Sequence, residues 1–108
     1  MLIDDRRLEK ALTRIAQTDE RVAELHAEVE RSEYRAKAVK DAVFLRSEGS
    51  VAERNAIAGT HPEYQAAMET YFTALKDHEA MRNERGKEML ICDVWRSMSS
   101  ARTKGLIQ

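Results

Sequence analysis

The sequence predicts an all-α fold: a long, coiled-coil-like antiparallel helical hairpin with a short capped helix at the connection. Three observations predict it. Apolar residues recur every seven positions through most of the first forty-six residues. A second apolar stripe follows the chain's only proline, Pro62. Between the two lies a segment with its own helix start and stop signals and two of the four glycines. At 108 residues the chain is read as one hairpin domain, 1–108, with a modest core.

The first helix is expected from about 4 to 46. Stepping by seven from Leu8 gives Ile15, Val22, Val29, Ala36 and Val43. The companion position reads Ala11, Thr18, Leu25, Ser32 and Val39, apolar with two small polar interruptions. A seven-residue repeat held this long marks a helix wound against a partner helix. Glu33 and Lys37 stand at the favourable four-residue spacing on an outer face. Such a helix would run about 60 Å and cannot bury its seam alone.

The connection "SEGSVAERNAIAGTHPEY" predicts a helix from about 51 to 58. Ser50 with Glu53 three residues on is a capping box. Gly59 is placed to close the helix in a left-handed conformation. Thr60, followed by Pro62 and Glu63, then reads as the next start signal. Arg54 and Asn55, expected to be exposed at the tip, are the candidate partner-binding residues. A plain structural spacer is the competing reading.

The third helix is expected from about 62 to 101, with a basic tail over 102–108. Tyr64, Met68, Tyr71, Leu75 and His78 form its stripe, resumed by Met89, Cys92 and Trp95. Between them "RNERGKE" thins the seam, and Gly86 predicts a polar or bent middle, with a break there as the alternative. Folding the hairpin at the connection sets Val43 beside Tyr64, Ala36 beside Tyr71 and Val29 beside His78. From Asp19 to Glu33 six acids stand against two arginines, and Arg82, Arg85 and Lys87 are their expected partners. Two paired helices still leave flanks uncovered, including Met68, Phe72, Met81 and Met89, so a homo-oligomer is expected.

Charged residues make up 34 % of the chain at a net charge of −1, which gives no overall attraction for nucleic acid or an anionic membrane. No apolar run approaches membrane-spanning length, and the single Cys92 suits a reducing cytoplasm. "HEAMR" has Arg82 where a zinc-protease helix needs histidine, and His26, His61 and His78 lie far apart, so neither a metal nor a cofactor is expected. With no catalytic motif and no small-molecule site in view, the chain is read as non-enzymatic. Local charge is more informative. Trp95 with Arg96, Arg102 and Lys104 combines an aromatic face with basic groups, the chemistry that grips single-stranded nucleic acid. Arg35 and Lys40 belong to a second basic group near the connection. The bland alternative is that Trp95 packs on the first helix and the bases are solvated or favour the helix C-terminus.

The order "AVFLRSEGSVAERNAIAG", then "EY", then a long helix ending in "VWRSMSSARTKG", resembles a group of small helical proteins of tailed bacteriophages. Those proteins are encoded among replication and recombination genes, and the similarity covers roughly the middle and C-terminal two thirds. The resemblance implies a phage origin and an auxiliary role beside DNA-handling enzymes; it supplies no catalytic residues. The resulting expectation is an accessory protein of DNA recombination or replication. It would oligomerise and bind single-stranded DNA or a recombination protein in the host cytoplasm. A protein-only inhibitor or adaptor of a host defence or regulatory protein is one alternative. A structural coiled-coil assembly component is another.

Overall fold

A computed structural model of the protein describes residues 3–103 and Gly105. It is a helical hairpin of three helices: α1 (Asp5–Arg46), α2 (Val51–Thr60) and α3 (Pro62–Thr103). The helix ends fall within two residues of those expected. α3 runs as one helix through Gly86, whose surroundings are open, and the alternative of a break there does not occur.

Local chemistry accounts for each helix end. Asp4 starts α1: its carboxylate accepts from the Arg7 amide at 2.8 Å and its carbonyl from Leu8 at 3.1 Å. At the other end the Ser47 hydroxyl donates to the Val43 carbonyl at 2.6 Å. The chain then reverses at Gly49, whose φ of +118° is the left-handed region that glycine enters most cheaply. The capping box forms as expected, with the Glu53 amide 3.1 Å from the Ser50 hydroxyl and the Ser50 amide 3.4 Å from the Glu53 carboxylate.

The stop and restart differ from expectation. Gly59 is not left-handed, and α2 continues to Thr60. The helix ends at His61, which is extended at φ −69° and ψ 137°. A residue before proline is pushed out of the helical region, so Pro62 ends α2 without help from a glycine. His61 is also the start signal of α3, in place of Thr60. Its Nδ1 accepts from the Glu63 amide at 3.1 Å and its carbonyl from Gln65 at 3.0 Å.

The chain divides into two compact units. The first takes the chain up to Ala23 and resumes at Ala80; the second is Glu24–Glu79. In the first, Ile3, Ala11, Thr18 and Arg85 are buried. In the second, the buried residues are Leu25, Ser32, Ala36, Val43, Ala58 and Ala74. The companion series of α1 is therefore the inner one as far as Ser32, and Leu8, Ile15, Val22 and Val29 are only half-buried. Both buried hydroxyls satisfy themselves on their own helix: Thr18 donates to Arg14 at 2.7 Å and Ser32 to Glu28 at 2.8 Å.

This choice shifts the register by about one turn. In the second unit the His26 ring lies 5.4 Å from that of His78, and Lys40 sits 5.5 Å over the ring of Tyr64. In the first unit Arg85 meets Thr18. The bulky side chains of α3 need small ones at their level, and the companion series supplies Ala11, Thr18 and Ser32.

Gly86→Ala should stabilise the fold by about 0.5–1 kcal/mol, since Gly86 is helical with open space around it. Gly49→Ala should cost about 1–2 kcal/mol, because φ is positive there and a Cβ would crowd Glu53. Urea titration of both variants checks the pair; equal shifts of one sign would contradict the account.

Candidate functional site

The most constrained polar group is Arg85 in the first unit. The seven-residue step from Tyr64 through Tyr71 and His78 places it on the inner face of α3, where its side chain is 10 % exposed. Nη1 donates to the Ile15 carbonyl at 2.7 Å and to the Thr18 hydroxyl at 2.7 Å. Nη2 reaches the exposed carboxylate of Asp19 at 3.3 Å. The guanidinium is thus satisfied mostly by neutral oxygens, with its one counter-charge at the solvent edge. Of the three bases expected to meet the acidic stretch, Arg85 does so through Asp19.

Two further ion pairs run with the opposite polarity, from bases on α1 to acids on α3. Arg7 clasps Glu88 through both guanidinium nitrogens, at 2.9 and 3.0 Å. Arg14 hydrogen-bonds Glu84. These bonds hold the Glu84 and Glu88 carboxyls below the usual carboxylate range and raise the two arginines. Sequence reasoning misses both pairs, although the i,i+7 spacing of Arg7 with Arg14 is a usable signal.

Trp95 is half-buried in the same unit, and its indole N–H donates to Asp5 at 3.2 Å. It lines an open recess with Ile3, Met98, Ser99 and Arg102. Of the proposed nucleic-acid contacts, the structure therefore brings together Trp95 and Arg102, beside the acids Asp4 and Asp5. Arg96 is exposed and pairs with Asp93 at 3.5 Å one turn away. Lys104 lies outside the described residues.

The second unit holds the other candidates. Arg35 is exposed, whereas Lys40 is half-buried over Tyr64. Arg54 is not the exposed residue expected. It is half-buried, its Nε donates to the Phe44 carbonyl at 3.1 Å, and its guanidinium lies 4.2 Å from the Phe44 ring centroid. It fastens α2 to the last turn of α1. Arg46 ties that turn to α3 through Glu63 at 3.0 Å, and Gln65 donates to the Gly59 carbonyl at 3.2 Å. With this anchoring, α2 leaves Asn55, Val51 and Ile57 outward, the last two 65 % and 42 % exposed.

Among the described residues, no group of three or more His, Cys, Asp or Glu side chains is placed to hold a metal ion. None of the described helices is long and apolar enough to cross a membrane. Comparison with models of known families, with curated proteins and with solved structures gives no match.

Thr18→Val should cost about 1–3 kcal/mol, because it removes an acceptor from a buried guanidinium. Arg85→Met should stay within about 1 kcal/mol of the parent, since an apolar chain of similar length suits a seam. Denaturant unfolding reads both, and a harmless Thr18→Val would contradict the site. For Glu84 and Glu88 the folded-state pKa is depressed. Their pairs therefore contribute fully above the normal carboxylate range, and that stability is lost as pH falls through the lower folded values. An acid titration of Glu84→Gln/Glu88→Gln should be flatter than that of the parent across that interval; identical slopes would contradict the pairs.

Proposed function

We propose that the protein is a non-enzymatic helical-hairpin accessory factor that works by associating with protein, through the segment at its connection and by oligomerisation. One observation carries this: α2 is capped at its start, fastened to Phe44 by Arg54, and still turns Val51, Asn55 and Ile57 outward. A segment held this firmly loses little freedom on binding, which favours recognition. The resemblance to tailed-phage proteins of the replication and recombination region supports a partner among DNA-handling proteins of the host or phage. Arg54 belongs to the scaffold of that surface, and Asn55 to its contact face.

Binding of single-stranded DNA is the second reading, favoured by exposed Arg96 and by Arg102 beside Trp95. The acids Asp4 and Asp5 beside Trp95 and Arg102 weigh against it, because their negative charge repels phosphate.

The two readings separate on the immobilised protein in a lysate of the bacterial host. A protein partner should survive nuclease treatment and be lost from Val51→Glu/Ile57→Glu, with thermal unfolding unchanged. Release by nuclease, or equal capture by the variant, would contradict the association reading. Anisotropy with a labelled oligonucleotide provides the counterpart. Salt-sensitive binding abolished in Arg96→Ala/Arg102→Ala would establish the DNA reading instead.

A further inference from the structure

In the second unit α2 and α3 meet at His61, which ends one helix and starts the other. Its backbone N–H reaches back to the Ala58 carbonyl at 3.4 Å, a long bond, and its carbonyl accepts from Gln65 at 3.0 Å. The ring supplies the remaining cap: Nδ1 accepts from the Glu63 amide at 3.1 Å. Serine, threonine, asparagine or aspartate usually fills this place, and none of them changes charge between about pH 5 and 8. Histidine does.

A neutral ring that accepts at Nδ1 carries its proton on Nε2. Nε2 stands 3.5 Å from Arg46 Nη2, at the last turn of α1, so a donor faces a donor there. A second proton has only Nδ1 to occupy, and it removes the acceptor from the Glu63 amide. It also places positive charge at the start of α3, where the helix dipole disfavours it, and beside the Arg46 guanidinium. The other charged neighbours give little relief. Glu63 is exposed and already pairs with Arg46 at 3.0 Å, while Lys40 lies over the ring of Tyr64. The two charged residues of α2 are engaged elsewhere, Glu53 with Ser50 and Arg54 with Phe44.

We propose that His61 is a pH-sensitive latch: its neutral ring holds α2 at the start of α3, and protonation releases it. The stability that the ring contributes is full above the imidazole range and is lost as pH falls through it. α2 keeps its Arg54 fastening and the Gln65 bond to the Gly59 carbonyl, so it loosens without detaching. A looser α2 loses more freedom on binding, and association through Val51, Asn55 and Ile57 weakens in acid. That consequence rests on the association reading above; the latch itself does not, and it is tested without a partner.

Amide hydrogen exchange of the whole chain at about pH 7.5 and 5.5, corrected for intrinsic rates, reads the latch. In the parent the Glu63 amide should lose protection by about fivefold or more at the lower pH. His61→Asn keeps a cap acceptor that does not titrate, so its Glu63 amide should be equally protected at both values. His26 and His78 titrate in both proteins, so the difference between the two belongs to residue 61. Unchanged protection in the parent, or the same loss in His61→Asn, would overturn the latch. With the latch established, partner capture should fall in acid for the parent and hold for His61→Asn. Equal capture by both would overturn the link to association and leave the latch standing.

Discussion

A guanidinium in an otherwise apolar and small-residue seam is the constraint on which the pairing of α1 and α3 depends in the first unit. Arg85 needs acceptors inside the seam, and this placement of α1 supplies them: the Thr18 hydroxyl and the Ile15 carbonyl one turn before it. Thr18 itself is engaged with Arg14, so one hydroxyl hydrogen and its lone pairs serve both helices. A buried polar group of this kind contributes little net stability. Its effect is to penalise every other register, in which the charge would face apolar side chains. The outer clasps of Arg7 and Arg14 on Glu88 and Glu84 act in the same direction with less force, being nearer solvent.

Most of the architecture is legible in the sequence because it rests on local rules. The long heptads, the Ser50–Glu53 box and Pro62 are short-range signals that nothing in the fold opposes. Two local signals mislead. Gly59 looks like a helix stop, yet the restriction that Pro62 places on His61 ends α2 first. Gly49, ten residues earlier, is the glycine whose freedom the reversal uses. The register is misjudged for a different reason. Leu8, Ile15, Val22 and Val29 look like the inner series because they are the more apolar, whereas burial follows volume as well as hydrophobicity. Thr18 and Ser32 are inside because they are small and bond back to their own helix.

The candidate site is legible in composition and not in placement. Trp95 stands out in the sequence, but the carboxylate that its indole N–H meets belongs to Asp5, ninety residues away along the chain. Arg54 has the character of a contact residue and proves to be a fastening, since only the fold brings Phe44 beneath it. Arg85 falls at the seventh step after His78, yet a charged residue in a stripe reads as an interruption, and so as a surface ion pair. The fold imposes a division of labour on these surfaces. The inner faces of the helices are used up by packing and by Arg85. The outward apolar side chains of α1 and α2 remain for other molecules, and their positions on rigid helices suit association.

The placement of Arg85 can be observed directly by nuclear Overhauser contacts from its guanidinium protons in a labelled sample. Contacts to the Thr18 methyl group, with guanidinium protons slow to exchange, are the predicted result. Contacts to Val22, the partner demanded by the more apolar series, or a freely exchanging guanidinium with none, would contradict the register and the role assigned to this side chain.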